Sequence, residues 1–249
     1  MLAVESLTRT FGGVAAVSDV SFSVRKGHVH AVIGPNGAGK TTLFNLISGV
    51  YTPSAGTVKL DGEDIGGHAP DQLARKGMSR TFQNLQVCMN MTALENVMLG
   101  AHLRCRSGIL GSLLGLTRRA DAALREASMA AMDFVGVGAW RDAHATQLSF
   151  GVLKRLEIAR ALQAGPRLLL LDEPAAGLND SETHEMTALI RRIAEDGVTV
   201  LLVEHDMKMV MSISDHIVVM DQGRKLAEGD AATVRKNPDV IAAYLGAEE

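Results

Sequence analysis

The stretch Gly34-Pro-Asn-Gly-Ala-Gly-Lys-Thr41 decides the fold of this chain, and Thr42 follows it directly. It matches the pattern G-x-x-x-x-G-K-[ST] in full, between an apolar run and a helical pattern. Glycines let backbone N–H groups turn inward around phosphate oxygens, and the helix N-terminus adds its positive dipole end. The whole loop is therefore predicted to bind a nucleotide's phosphates: Gly34, Pro35, Asn36, Gly37, Ala38, Gly39, Lys40, Thr41 and Thr42.

Two side chains of this loop have more specific predicted roles. The ammonium of Lys40 is placed to bridge the outer phosphates, where charge builds up during phosphoryl transfer. The Thr41 hydroxyl is placed to ligate Mg²⁺. We therefore expect ATP and Mg²⁺ as cofactors.

A second apolar run, Leu168–Leu171, ends in the carboxylate pair Asp172 and Glu173. A buried parallel strand would bring both acids to the carboxyl edge of a sheet, where ligands bind in open α/β folds. Asp172 is suited to hold Mg²⁺ through water, and Glu173 to orient or deprotonate the water that attacks the γ-phosphate. Without the phosphate loop, a strand that ends in a solvated acidic turn would explain this pair equally well.

Periodicity along the rest of the chain predicts an α/β fold in which strands alternate with helices after residue 168, as in a parallel sheet with crossover helices. Apolar spacing predicts helices from about Thr92 to Gln147, whereas Arg104–Arg119 has no clean period and is predicted to be an exposed or mobile insertion. The other predicted elements are strands at Leu2–Val4, Val20–Val24, Val29–Ile33, Thr57–Leu60, Ser79–Phe82, Val198–Val203 and His216–Met220, and helices at Lys40–Ser48, Asp121–Val135 and Ser181–Glu195.

Composition narrows the possible classes of protein. With 25 Lys+Arg against 28 Asp+Glu, the chain lacks the positive charge typical of nucleic-acid binders, so we expect no nucleic-acid partner. Two cysteines cannot form a disulfide framework. The first residues lack the basic start and apolar run of a signal peptide, and no apolar run approaches the roughly 20 residues that cross a bilayer. Any membrane role is therefore expected to be peripheral.

With the loop and the carboxylate pair in place, the chain resembles the ABC-transporter ATPase family, because further motifs of that family follow in order. Phe11 resembles the aromatic residue that stacks on adenine, and Gln83 in Thr81-Phe-Gln-Asn84 the glutamine that contacts Mg²⁺ and water. His205 resembles the switch histidine that supports hydrolysis beside Glu173. Taken singly, an aromatic, a glutamine and a histidine of this kind are more often structural.

Leu148-Ser-Phe-Gly151 resembles the family's signature motif. Ser149 is a good helix N-cap, Gly151 permits close backbone approach, and the helix start offers free N–H groups to an anion. One nucleotide does not need two such helix starts from one chain, so the resemblance implies that Ser149 and Gly151 meet ATP held by a second subunit. Three positions depart from the family pattern: Phe150 and Val152 replace its glycine and glutamine, and Asn179 replaces its aspartate. We therefore expect the contact between subunits to be retained but altered.

The resemblance covers essentially the whole chain and implies one ABC ATPase domain over 1–249. Its P-loop NTPase core has a mixed or parallel sheet and an N-terminal antiparallel β region, spanning about 1–83 and 148–249. A helical signature subdomain is inserted at about 84–163.

The chain resembles, more narrowly, one ATPase subunit of bacterial branched-chain amino-acid importers. This resemblance rests on Leu156–Leu162, Leu171–Asn179, the ending Ala242–Gly246 and the predicted insertion at Arg104–Arg119. This implies a non-identical second ATPase subunit, permease subunits, a place on the cytoplasmic face of the inner membrane, and no direct contact with the transported substrate. The alternative is a soluble ABC ATPase that acts on a protein or nucleic-acid complex. His28 and His30 share a strand face, but no third ligand lies nearby in the sequence and no zinc site is predicted.

Overall fold

The computed structural model describes residues 1–101 and 116–245. A six-stranded sheet forms its centre. In spatial order the strands are β10 (Arg224–Gly229), β9 (His216–Asp221), β3 (Val29–Ile33), β8 (Thr199–Val203), β7 (Leu168–Asp172) and β6 (Met78–Arg80). Every neighbouring pair is parallel except β10 with β9. The predicted parallel sheet is confirmed, with an antiparallel edge strand that the sequence pattern did not indicate.

The three central strands β3, β7 and β8 are buried along their whole length, which explains why most of their residues are aliphatic. Successive residues face opposite layers. In β3, Ala31 and Ile33 join the hydrophobic cluster beneath the helices on one face, whereas Val32 joins the cluster on the other. The central strands are therefore packed on both faces of the sheet, and the residues at their ends are placed by this packing.

The second sheet is antiparallel, in the order β2 (Val14–Val24), β1 (Leu2–Phe11), β4 (Ala55–Leu60) and β5 (Glu63–Asp64). It confirms the predicted N-terminal β region. The first two strands are much longer than predicted: they pair from Leu2 opposite Val24 to Phe11 opposite Val14. Gly12 and Gly13, both at positive φ, make the tight turn between them.

The helices are α1 (Lys40–Ile47), α2 (Pro70–Arg75), α3 (Ala93–Leu99), α4 (Leu116–Phe134), α5 (Phe150–Gln163), α6 (Asp180–Glu195), α7 (Met207–Ile213), α8 (Ala231–Lys236) and α9 (Pro238–Leu245). The helices α3, α4 and α5 pack on one another and form the predicted helical region. The predicted insertion at 104–119 lies outside the described residues except for its last four, which begin α4. No helix in the described part of the chain is long and apolar enough to cross a membrane.

Candidate functional site

The loop from Gly34 to Gly39 joins β3 to α1, as predicted. Gly39 is the N-cap of α1 at φ 95°, a left-handed conformation that favours glycine. A Cβ on Gly34 would lie 2.1 Å from the carbonyl oxygen of Met220 in β9, so no side chain fits there. These glycines let the loop curl tightly at the carboxyl end of the sheet, with free N–H groups of α1 beside it.

Lys40 lies buried within the loop that it follows. Its ammonium donates hydrogen bonds to the carbonyl oxygens of Gly34 at 2.7 Å and Pro35 at 3.0 Å. Burial lowers the pKa of Lys40, and the nearby Glu173 carboxylate partly opposes this change. The ammonium is therefore already in the position from which a lysine reaches phosphate oxygens.

Glu173, His205 and Gln83 come together although they are far apart in the sequence. His205 Nε2 lies 2.7 Å from Glu173 Oε1, and the Gln83 amide nitrogen donates to Glu173 Oε2 at 3.3 Å. The chain turns sharply at Glu173, which has φ 50°, and its N–H donates to the Val203 carbonyl at 2.9 Å. The carboxylate thus projects beyond the end of β7 with both oxygens in contact with polar partners.

One cavity of about 620 Å³ connects these groups with the loop. Its lining comprises Val14, Ala15, Ala16, Asn36, Gly37, Ala38, Gly39, Lys40, Thr41, Thr42, Gln83, Glu173, His205, Gln222 and Gly223. Its volume lies within the range of small-molecule sites. The cavity therefore brings residues 36–42 of the predicted phosphate loop together with those predicted for water activation, whereas Gly34 and Pro35 do not line it.

Asp172 does not line this cavity. It is buried beneath it, and Arg80 Nη2 donates to its Oδ2 at 2.7 Å. The same guanidinium donates through Nη1 to Asn45 Oδ1 at 2.7 Å and Ser48 Oγ at 2.6 Å in α1. Arg80 therefore fixes the helix after the phosphate loop to the end of β7, and Asp172 stays a predicted rather than an observed member of the site.

A magnesium ion would have to be held by mixed oxygen ligands. Nowhere in 1–101 or 116–245 do three or more His, Cys, Asp or Glu side chains group so as to hold a metal alone. Thr41 and Gln83 supply hard oxygen donors at the cavity, and Mg²⁺ usually completes such a shell with water and substrate phosphates. The residues present fit a phosphate-bound Mg²⁺ rather than a resident metal cage.

Phe11, Ser149 and Gly151 lie apart from the cavity lining. The Phe11 ring is partly exposed, packs edge-on against Tyr51 at 5.3 Å between centroids, and has the Arg9 guanidinium 4.7 Å from its centroid. Ser149 caps α5 by accepting a hydrogen bond from Val152 N–H. Gly151 is buried, and a Cβ on it would lie 2.4 Å from Glu182 Oε1 of α6.

Two buried carboxylates that sequence reasoning missed hold the polar loops in place. Glu204 accepts hydrogen bonds from the N–H groups of Ala175 at 2.6 Å and His205 at 2.9 Å. Glu157 accepts from Phe82 and Gln86 on either side of Gln83, both at 3.4 Å. Burial raises the pKa of both carboxyls. Two signals in the sequence could have identified these carboxylates: Glu204 stands next to the motif residue His205, and Glu157 lies between apolar residues of its helix.

Tyr244 in α9 is a further residue that sequence reasoning did not connect to the site. Burial raises its pKa to about 12, and a hydrogen bond from the Gly34 backbone opposes this change. Its ring also packs against the core beneath the sheet. The C-terminal helix therefore contacts the first residue of the phosphate loop, although some two hundred residues separate them.

Comparison with known proteins decides the family. The family model described as ABC transporter matches residues 17–176, which include the phosphate loop, the signature motif and the carboxylate pair. The chain belongs to the ABC transporter ATPase family. ATP hydrolysis is the activity of this family, and proteins of the family bind nucleotide. A second model, described as Branched-chain amino acid ATP-binding cassette transporter, matches residues 224–249.

Two curated relatives match this ABC ATPase over its whole length. The high-affinity branched-chain amino acid transport ATP-binding protein BraF of Pseudomonas aeruginosa is 47% identical over 99% of this chain and 98% of its own. LivG of Escherichia coli K12, with the same description, is 41% identical over the same shares. The comparisons give no support to the alternative of a soluble ATPase acting on a protein or nucleic-acid complex.

Solved structures agree with the fold. The ADP conformation of MJ1267, an ATP-binding cassette of an ABC transporter, is 32% identical, covers 99% of this chain and 98% of its own, and has a TM-score of 0.85. The dimeric structure of the bacterial ABC transporter cassette MJ0796 is 25% identical over 93% of this chain and 99% of its own, with a TM-score of 0.79.

Proposed function

We propose that this ABC ATPase is the ATP-hydrolysing subunit of an importer of branched-chain or related amino acids, bound to the cytoplasmic face of the membrane. The observation that carries the proposal is whole-length similarity to two transport subunits of that description, extending through the C-terminal segment 224–249. The cavity with Lys40, Glu173 and His205 supplies the chemistry that such a subunit requires.

In the proposed reaction, the Gly34–Thr42 loop and Lys40 hold the phosphates of ATP, and Phe11 stacks on the adenine. Thr41 and Gln83 would hold Mg²⁺, with Asp172 acting through water, and the bound ion would supply charge neutralisation at the phosphates. Glu173 accepts a proton from the attacking water at its Oε2 side, which faces Gln83. His205 holds the other carboxylate oxygen and thereby fixes the direction of the base.

The proposed dimer places a second cassette against the signature motif. Ser149 is exposed at the start of α5, on a part of the surface separate from the cavity, so it is free to face a nucleotide bound to another subunit. The existence of a dimeric relative supports this arrangement. We propose that the partner is a non-identical ATPase subunit, and that ATP lies between the two chains.

A groove of about 470 Å³ beside the Gln83 loop is the proposed contact for the permease subunits. It lies between the main sheet and the helical region, and its lining includes Ser79, Arg80, Phe82, Leu99, Gly100 and Arg160. Phe82 is exposed there, directly next to Gln83. Motion of a permease segment in this groove would therefore reach the nucleotide cavity through one residue.

The test is purification of the tagged chain from native membranes, followed by reconstitution of the recovered complex into lipid vesicles. We expect co-purified permease subunits and ATP-dependent uptake of labelled leucine, isoleucine or valine. Glu173→Gln is expected to abolish uptake, whereas Glu195→Gln, a change of the same kind at an exposed position in α6, leaves it unchanged. Recovery only with soluble proteins or ribosomes would defeat the transporter function, and uptake of an unrelated solute would defeat the substrate class.

A further inference from the structure

Lys154 lies in α5, which begins at the signature motif, but its side chain points toward the hydrolysis site of its own chain. The residue is only 4% exposed. Its ammonium donates a hydrogen bond to the backbone carbonyl oxygen of Glu173 at 3.1 Å. Burying an ammonium is costly unless it finds a polar partner, so this placement is specific rather than incidental.

The carbonyl that Lys154 contacts belongs to a residue in an unfavourable backbone conformation. Glu173 has φ 50°, in the left-handed region, which is unfavourable for a non-glycine residue and persists only where its surroundings hold it. Its N–H donates to Val203 at 2.9 Å, and its carbonyl also accepts from Ala176 N–H at 3.2 Å. Lys154 adds a charged donor from a separate helix to these two backbone bonds.

The same lysine contacts the first turn of its own helix. Its ammonium lies 5.6 Å from the centre of the Phe150 ring, within the range of a cation–π contact. That ring in turn packs on Gly177 in the loop after the carboxylate pair, where an added Cβ would lie 3.0 Å from Phe150 Cε1. The first turn of α5, Lys154 and residues 173–177 are therefore one packed unit.

We propose that Lys154 is a positioning residue that fixes the backbone of Glu173 and links it to the first turn of α5. The proposal rests on the proposed function, in which Glu173 activates water and Ser149 faces the nucleotide of the partner subunit. A displacement of the first turn, caused by the partner's nucleotide, reaches Glu173 directly through Lys154, while the contact of Phe150 with Gly177 carries it to the following loop. Occupancy of one site thus adjusts the carboxylate of the other.

The first measurement is hydrogen–deuterium exchange in the nucleotide-free, full-length chain. Lys154→Met keeps the length of the side chain and removes its donors and charge; we expect exchange of the Ala176 amide to rise about tenfold, because a charge-assisted hydrogen bond is lost. Lys154→Arg keeps a donor and is expected to stay within about twofold of the parent. The matched control is Arg155→Met, which removes a cation from the next position, where the side chain pairs with Glu185 at 2.5 Å rather than with Glu173.

The second measurement is ATP turnover by the same four proteins, each in the transporter complex purified from native membranes, because the proposed site needs a second ATPase subunit. We expect kcat to fall about tenfold in Lys154→Met with KM and ATP affinity unchanged, since only placement of the base is altered. Parental exchange or parental kcat in this variant would overturn the proposal, as would equal losses in Arg155→Met. If the parent itself hydrolyses no ATP, the proposed function fails, while the exchange of Ala176 still decides whether Lys154 holds this backbone.

Discussion

His205 Nε2 and Glu173 Oε1 lie 2.7 Å apart, at the ends of two neighbouring parallel strands. The histidine side chain is 45% exposed and the glutamate side chain 16%. The contact therefore joins a partly exposed ring to a carboxylate that is largely enclosed. It involves the oxygen that does not face Gln83, so each oxygen of the carboxylate has one polar partner.

Replacing His205 with Ala is expected to reduce ATP turnover by about 10²-fold, the lower end of the contribution of a positioned acid–base group. ATP affinity should stay at the parental value, because the phosphates are held by the loop and Lys40. Steady-state turnover and equilibrium nucleotide binding check the two parts. His184→Ala, which removes an exposed histidine from α6, serves as the control, and parental turnover in His205→Ala would exclude the residue from the reaction.

The residues of the candidate site were predictable to the extent that their signals are local. Eight successive residues carry the phosphate loop, and the run before Asp172 shows its strand directly. The phosphate loop and the carboxylate pair lie close together because the carboxyl ends of parallel strands share one edge of the sheet. The pairing of Glu173 with His205 needed the family resemblance as well, because 32 residues separate them.

Features that depend on tertiary contacts were not predictable in the same way. Residues 8–10 of β1 are polar and half exposed, so the strand was predicted to end too early. β10 was missed because no residue in it is fully buried and it forms an edge. The ion pair of Arg80 with Asp172 joins positions 92 residues apart, and no local pattern identifies its partners.

The buried ion pair of Arg80 with Asp172 is expected to be essential for stability. Both side chains are less than a tenth exposed, and removing one partner of such a pair costs about 3–5 kcal/mol because a charge stays buried alone. Arg80→Met should therefore lower the free energy of unfolding by about this amount in a denaturant titration. Adding Asp172→Asn should recover part of the loss, since no unpaired carboxylate remains.

The control for this ion pair is Arg167→Met, which breaks a salt bridge with Asp61 that is largely exposed. Exposed pairs contribute about 1 kcal/mol or less, so this variant should unfold near the parental midpoint. Equal losses in the two arginine variants would show that burial of the Arg80 pair does not determine its contribution.

Lys40→Ala should weaken ATP binding by about 10- to 100-fold, which corresponds to the loss of charge-assisted hydrogen bonds to phosphate. Isothermal titration with ATP measures the effect. Lys59→Ala, at an exposed lysine that pairs with Glu5 at 2.7 Å, is the control, and ATP affinity equal in all three proteins would contradict the phosphate-loop assignment.

His30 in β3 should make the stability of this ABC ATPase sensitive to mild acid. Burial lowers the pKa of His30 to about 4, and the positive charges of the nearby His216 and His28 lower it to a lesser extent. Its Nε2 accepts a hydrogen bond from Arg25 N–H. Between pH 6.5 and 4 only the unfolded chain binds a proton at this histidine. The contribution of neutral His30 to the free energy of unfolding is therefore complete above pH 6.5 and is lost as pH falls. The free energy of unfolding should drop by about 2 kcal/mol between pH 7 and 5. Denaturant midpoints at these two pH values should converge in His30→Gln but not in His184→Gln; an unchanged pH difference in His30→Gln would assign the sensitivity to other groups.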